Sequence, residues 1–242
     1  MDSELKGKII WLTGGSRGIG AGTAKKLVKT GARLILSSRN IDENNKSIGD
    51  LTSYQNVYFY PCDVSSHEEV KTTYKKIEKN IGDVDILINN AGVAKFKPID
   101  ELSVNDFDDM MGINLRGAFL CIGTVLPKMI EKGKGIILNI ISVAAVKIFT
   151  GSSIYSASKA GLLAMSRSMR EDLRSKGIKV IDILPGATET ELWSSKSREK
   201  YGKRMIKPSE LADVIVDILE KSVKNKLMIE EVVIRPQLGD LS

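Results

Sequence analysis

The sequence predicts an α/β protein built on a mostly parallel, seven-stranded sheet with helices on both faces. Three observations predict it. Short apolar runs alternate with stretches whose apolar residues recur at helical spacing along the whole 242 residues. The runs are continuously apolar, as in Asp85-Ile86-Leu87-Ile88, which suits strands covered on both sides. The first run leads directly into a glycine-rich turn and a helix, the opening of a βαβ unit.

Taken in order, Lys8-Ile9-Ile10-Trp11-Leu12 is the first strand and Thr13-Gly14-Gly15-Ser16-Arg17-Gly18-Ile19-Gly20 the turn. Ala24, Leu27 and Val28 then mark a helix that Gly31 stops. Strand, glycine turn and helix N-terminus together can receive a pyrophosphate on backbone N–H groups, although the same pattern also serves as a plain strand-to-helix turn. Arg33-Leu34-Ile35-Leu36-Ser37-Ser38-Arg39 is the second strand. An acid at such a strand end accepts from the 2′-hydroxyl of NAD, whereas an arginine accommodates the 2′-phosphate of NADP. Here Ser38-Arg39 stands with no carboxylate until Asp42, and Arg17 supplies a second cation, so the pattern argues for NADP. The bland alternative is two solvated arginines.

Val57-Tyr58-Phe59-Tyr60-Pro61-Cys62 reads as the third strand, followed by Asp63-Val64. Ser66-x-x-Glu69 then caps a helix carrying Val70, Tyr74, Ile77 and Ile81 on one face. The sole histidine, His67, falls in its exposed first turn, so any mechanism must work without histidine. The fourth strand, 85–88, ends in Asn89-Asn90-Ala91-Gly92, small and amide residues that let backbone approach a ligand. A helix begins at Ser103-x-x-Asp106 with Phe107, Met110, Met111, Asn114 and Leu115 expected inward. Residues 135–141 form the fifth strand, with Ser142 at its carboxyl end, the edge at which ligands bind in open α/β sheets. A long helix over about 154–176 holds Tyr155 and Lys159. Residues 179–184 form a sixth strand ending in Pro185-Gly186-Ala187-Thr188-Glu189-Thr190. The polar, basic stretch 191–207 reads as a mobile lid. Pro208 opens a last helix with Leu211, Ile215, Ile218 and Leu219 inward, and 230–234 is the seventh strand. No repeat or linker interrupts the alternation, so 1–242 is expected to be one domain.

Composition narrows the function. With 42% hydrophobic and 27% charged residues the chain reads as soluble and globular. Cys62 and Cys121 each sit in an apolar run and suggest neither a disulfide framework nor a metal site, which points to a reducing, cytoplasmic setting. No apolar run approaches the roughly 20 residues of a membrane span, and the N-terminus lacks a signal-peptide core. The net charge of +6 is spread over helices without the basic–aromatic pattern of nucleic-acid binding; solvated helix faces and a phosphate-bearing cofactor account for it.

Tyr155 and Lys159 lie one helical turn apart on one face. A phenol with an ordinary pKa near 10 is a poor acid or base at neutral pH. An ammonium at about 5 Å and an effective dielectric near 20 favours the phenolate by roughly 3 kcal/mol, or about two pKa units. Most Tyr-x-x-x-Lys spacings are ordinary helix surface, so this pair depends on its surroundings.

Those surroundings are specific. Thr13-Gly14-x-x-x-Gly18-x-Gly20, Asp63, Asn89-Asn90-Ala91-Gly92, Asn114, Ser142, Tyr155-x-x-x-Lys159, Pro185-Gly186 and Thr190, in this order, resemble the short-chain dehydrogenase/reductase family, "classical" subfamily, along nearly the whole chain. The resemblance implies a Rossmann-type, doubly wound sheet and hydride transfer between NADP(H) and a carbonyl or secondary alcohol, with NAD(H) less favoured. It implies that Tyr155 exchanges the proton, that Lys159 lowers its pKa and holds the nicotinamide ribose, and that Ser142 hydrogen-bonds the substrate oxygen. Asn114 would anchor a water linking Lys159 to solvent. Asp63 and Val64 would hold the adenine, Asn90 and Thr188 the ribose-to-nicotinamide region, and Thr190 the carboxamide. Gly14, Gly15, Ser16, Arg17, Gly18, Ile19, Gly20, Ser38, Arg39, Ala91, Gly92, Pro185 and Gly186 complete the expected cofactor contacts. Ala144, Phe149, Ser152, Leu192 and Trp193 would join Ser142 and Tyr155 at the substrate.

Phe149 and Ser152 stand where the branch reducing 3-oxoacyl groups on acyl carrier protein tends to carry Asn and Gln, and Val232-Val233-Ile234-Arg235-Pro236-Gln237 departs from that branch's glycine-rich ending. A general carbonyl reductase is therefore favoured. Reduction of acyl-carrier-protein substrates is the main alternative, with Lys132, Lys134 and Lys176 as cations for such a partner. A dinucleotide-sensing binding protein is a third reading, opposed by the retained tyrosine and lysine. Family resemblance also implies a homodimer or homotetramer through the helices starting near Ser103 and Ile154.

Overall fold

The computed structural model describes residues 3–41 and 47–241; Asp42, the first carboxylate after the second strand, lies outside the described residues. Seven strands form one sheet: β1 (Ile9–Thr13), β2 (Arg33–Ser38), β3 (Val57–Pro61), β4 (Ile86–Asn89), β5 (Gly135–Ile140), β6 (Ile178–Pro185) and β7 (Glu231–Ile234). Their order is β3-β2-β1-β4-β5-β6-β7 and every pairing is parallel. The chain winds outward from β1 to β3 and returns beside β1 to lay down β4. The order therefore reverses between β1 and β4, where a crevice opens at the carboxyl ends of the strands.

Successive side chains on a strand point to opposite faces. Ile10, Leu12, Leu34, Leu36, Leu138 and Ile181 accordingly pack under α1 (Gly18–Leu27) and α7 (Pro208–Lys224), joined by the predicted inner face Leu211, Ile215, Ile218 and Leu219. Trp11, Ile35, Leu87, Ile137 and Val180 pack on the other side. There they meet α2 (His67–Asn80), α4 (Ala118–Glu131) and α5 (Ser153–Arg174), through Ile77, Val125, Met129 and Leu173. Each such side chain taken fully from water contributes about 1.5–3 kcal/mol. Among the described residues the β2–β3 crossover carries only a 3₁₀ turn, Gly49–Ser53, and Ile41, Ile48 and Leu51 cover the sheet at that point.

Several expectations shift. Cys62 and Glu230 fall just outside β3 and β7, while β6 extends one residue further at each end than its apolar core indicates. Phe107, expected inward, is 46% exposed. α3 (Val104–Met111) buries only Met110, and after it the helix widens into a π turn, Gly112–Gly117, in which Ile113, Asn114 and Gly117 are buried. The continuous helical run Val104–Glu131 is long and apolar enough to cross a membrane, which the sequence reading missed. Its Cys121, Ile122, Val125 and Met129 are instead packed on the sheet.

A polar chain runs beneath β4, β5 and β6. Asn89 Nδ2 donates to Asn139 Oδ1 (2.9 Å), and Asn139 Nδ2 donates to Asp182 Oδ1 (3.0 Å). From α5, Ser166 Oγ donates to Asp182 Oδ1 (2.6 Å) and Arg170 Nη2 to Asp182 Oδ2 (2.6 Å). Asp182 is fully buried. Burial pushes its carboxyl above the usual range, against the hydrogen bonds of Ser166 and Asn139 and the Arg170 guanidinium. Removing one partner of a buried pair costs far more than replacing both. Arg170→Met should lower the unfolding free energy by about 3–5 kcal/mol. The double variant Arg170→Met/Asp182→Leu should recover most of that loss; urea titration of the three proteins checks it.

Candidate active site

The carboxyl edge opens on a cavity of about 1350 Å³. All the residues expected to contact cofactor or substrate line it except Gly15 and Gly20, which lie beneath the glycine turn, and Asn114 stands behind its wall.

At one end, β1 runs into the glycine turn and α1 begins at Gly18. Its N-cap residue Arg17 makes no side-chain cap, so the first helical N–H groups have no side chain bonded across them. A Cβ on Gly14, whose φ is +66°, would lie 2.7 Å from Ala91 Cα, and one on Gly20 would lie 2.2 Å from the Gly14 carbonyl oxygen. The turn is thus closed to any larger residue. Asn90 Nδ2 donates to Thr13 O (3.0 Å) and Gly14 O (2.9 Å), stitching the end of β4 to the turn. Its amide nitrogen is thereby committed to scaffold. Arg17 and Arg39 are exposed on this wall, and between the strand ends the buried Ser38 Oγ has no hydrogen-bond partner among the described residues. An unsatisfied hydroxyl, two cations and an uncapped helix N-terminus are a donor set suited to a phosphorylated ribose and pyrophosphate, so the residues fit a dinucleotide. Asp63 Oδ1 accepts from Ser65 N (2.9 Å) and Asp63 N donates to Glu69 Oε2 (2.9 Å), which fixes the Asp63–Val64 turn.

At the other end Ser142 closes β5. Its Oγ accepts from Ala144 N (3.1 Å) at the start of a 3₁₀ turn, which leaves its hydrogen free to donate. Tyr155 and Lys159 sit on successive turns of α5, only 8% and 4% exposed. Lys159 Nζ donates to Ile140 O (2.8 Å). Burial pushes the Tyr155 phenol above its ordinary pKa, opposed by a hydrogen bond with Ser142, and burial pulls the Lys159 ammonium down to about 8. This reverses the expected direction for the tyrosine. An exposed pair would follow Coulomb attraction, but here both groups leave water, and desolvation drives each toward its neutral form.

Asn114 is a buried amide whose side chain is fully partnered. Its Oδ1 accepts from Val93 N (2.8 Å), and its Nδ2 donates to Val93 O (2.9 Å) and Ser158 Oγ (2.9 Å). The side chain clamps the loop after β4 onto α5, and the π turn brings it there. Ser152, read as a substrate contact, is buried and spends its hydroxyl on Phe149 O (2.7 Å) and Ser156 Oγ (2.9 Å). Residues 191–207 contain a helix, α6 (Ser195–Tyr201), and Ile206 N donates to Ala187 O (3.0 Å).

Phe96 was missed. Its ring meets Tyr155 edge-on (centroids 5.5 Å apart, 71°) and stacks on Trp193 (5.5 Å, 22°), bridging α5 to the 191–207 segment. Its signal was an aromatic four residues beyond the Asn-Ala-Gly turn. Asp240 and Leu241 also line the cavity, at a distance in sequence that no local pattern discloses.

The short chain dehydrogenase family profile matches residues 8–201. The chain belongs to the short-chain dehydrogenase family. An uncharacterized oxidoreductase of Staphylococcus haemolyticus is 32% identical over 234 residues, covering 97% of this chain and 99% of its own. Among solved structures, a metagenomic short-chain oxidoreductase in complex with NADP is similar at 30% identity and a TM-score of 0.82, over 97% of this chain and 99% of that one. An alcohol dehydrogenase from the archaeon Thermococcus sibiricus, complexed with 5-hydroxy-NADP, is similar at 28% identity and a TM-score of 0.86, over 98% and 100%. As a short-chain dehydrogenase the chain is an oxidoreductase, of a family that uses a nicotinamide dinucleotide.

The depressed lysine is open to measurement. Between its folded value of about 8 and the ordinary 10.5, the unfolded chain holds a proton that the folded chain has released, so stability rises with pH across this window. The unfolding free energy of the wild type relative to Lys159→Met should therefore climb by roughly 1 kcal/mol per pH unit above that value. Urea titrations at stepped pH test this; a difference independent of pH would mean the ammonium is not desolvated.

Proposed function

We propose that this short-chain dehydrogenase is an NADP(H)-dependent carbonyl reductase that interconverts a carbonyl and a secondary alcohol, with Tyr155 as the general acid–base. The observation that carries the reading is that Ser142 and Tyr155 line one wall of the cavity, with Lys159 buried one turn away. A nicotinamide dinucleotide bound along the glycine turn and the Pro185-Gly186 edge would supply the hydride.

The chain's own part is to hold the oxygen and move one proton. Ser142, with its Oγ already accepting from Ala144 N, can donate to a substrate oxygen beside Tyr155. Two donors aimed at one oxygen stabilise the negative charge that develops on it during reduction. Burial keeps Tyr155 protonated until that moment, which suits a proton donor. As the phenol gives up its proton, the Lys159 ammonium favours the phenolate. One of its N–H groups is held by Ile140 O, and the others remain available to the cofactor ribose.

NADP is favoured by Arg17, Arg39 and the unpartnered Ser38 hydroxyl at the β2 end, and by the NADP-type ligands of two similar structures. The substrate is read as a small carbonyl with an apolar flank, because Phe96, Phe149, Leu192 and Trp193 line the approach to Tyr155. The acyl-carrier-protein reading loses the cations it relied on. Lys132, Lys134 and Lys176 precede β5 and β6, at the opposite edge of the sheet, and Lys132 is paired with Asp83 (3.1 Å).

A carbonyl panel followed by NADPH absorbance tests the activity. Tyr155→Phe should reduce kcat by about 10²–10⁴-fold with NADPH affinity unchanged; a variant as active as wild type would end the proposal. Arg39→Ala should weaken NADPH by about tenfold and leave NADH unaltered, because only the former carries the 2′-phosphate. Equal weakening of both would assign the arginine another role.

A further inference from the structure

After β7 the chain does not leave the molecule. Pro236 crosses Gly186 at the carboxyl end of β6, so closely that a Cβ on Gly186 would lie 2.8 Å from Pro236 Cδ. A turn closed by Gly239 N donating to Pro236 O (2.8 Å), with Gly239 at φ +81°, then brings Asp240 back over the cavity. The Asp240 carboxylate accepts from Lys147 Nζ (2.5 Å), in the loop after β5, and from Arg235 through both Nε (3.2 Å) and Nη2. Its main-chain oxygen accepts from Arg204 Nη2 (3.3 Å), in the segment after α6. Lys147 in turn lies 5.5 Å from the ring centre of Phe149. One residue thus joins three loops that come from different parts of the sequence, and with Leu241 it lines the substrate end.

We infer that Asp240 is a positioning residue for substrate selection: it latches the segment after β7 to the Lys147–Phe149 loop and to Arg204, and so sets the wall against which the substrate packs. The inference rests on the carbonyl reductase reading for its kinetic consequences but not for the latch itself. Burial alone would push the Asp240 carboxyl up, and the hydrogen bonds of Lys147 and Arg235 outweigh it, so the group stays ionised at neutral pH. Lys147 and Arg235 remain about half exposed, with side chains 51% and 42% accessible, so added salt must loosen the pairs. The ion pairs of Asp240 use no atom of Tyr155 or of the glycine turn, and the loop they hold carries Phe149, a residue of the substrate wall. Their loss is therefore expected to fall first on substrate binding.

Asp240→Asn and Asp240→Glu separate the latch from general damage. Trypsin reads the latch without turnover, because Arg198, Lys200, Lys203 and Arg204 lie in the segment it restrains. In Asp240→Asn, cleavage within 194–204 should quicken about tenfold, as cleavage follows the population of the open form. Asp240→Glu should restore the wild-type rate, and sodium chloride should quicken the wild type but not Asp240→Asn. With the best carbonyl from the panel, KM of Asp240→Asn should rise about five- to tenfold while kcat and NADPH dissociation stay within about twofold. Cleavage and KM at wild-type values in Asp240→Asn would overturn the latch. So would a fall in kcat together with loss of NADPH binding, which marks global damage. An inactive wild type whose cleavage still responds to Asp240→Asn would overturn the carbonyl reductase reading and keep the latch.

Discussion

A carboxylate with no access to water, Asp182, decides how α5 sits on the sheet. Its two oxygens accept from Asn139 on β5 and from Ser166 and Arg170 on α5, so that helix cannot slide or roll without leaving a buried charge unpaired. Apolar packing alone would tolerate small changes of register, because it is roughly proportional to area and has no direction. Hydrogen bonds to a desolvated charge do not tolerate them. Tyr155 and Lys159 are carried on the first turns of the same helix. Ser142 and the Ile140 carbonyl are carried on the end of β5. The polar chain beneath the strands therefore holds the two halves of the proton-transfer site in a common frame.

That frame is bought with instability at the site itself. Lys159 is an ammonium taken from water and given one carbonyl and, among the described residues, no carboxylate partner, and its pKa falls accordingly. Tyr155 is displaced in the opposite direction by the same cause. On the proposed mechanism both shifts are useful. A protonated phenol is ready to donate, and a cation poorly satisfied in the ground state gains most when a phenolate appears beside it. Asn114 supports this at one remove, holding the loop after β4 against α5 through Val93 and Ser158.

The substrate end is built differently. Its aromatic wall, Phe96 against Tyr155 and Trp193, comes from three separate loops and helices with no strand beneath them. Beside it, half-exposed ion pairs gather on Asp240 from Lys147 and Arg235. Such pairs are individually weak.

By itself the sequence determined the parallel sheet, because continuous apolar strands alternating with helical periodicity leave few other ways to bury both faces. It also identified the glycine turn, where Gly14 and Gly20 admit no Cβ, and α7 with Leu211, Ile215 and Leu219 inward. Motif order brought Ser142, Tyr155 and Lys159 to attention, since each is local to its own strand end or helix. Only the tertiary structure decided the rest. The direction of the Tyr155 shift depends on how much water burial removes, which spacing does not encode. Phe107 was misplaced because α3 turns only Met110 inward and leaves the rest of its surface at least partly toward solvent. Phe96 and Asp240 reach the cavity through contacts between residues far apart in the chain, with Asp240 and Lys147 separated by 93 positions. Local patterns record how a segment folds on itself; which distant segments then meet is set by packing and by where buried charge must find a partner.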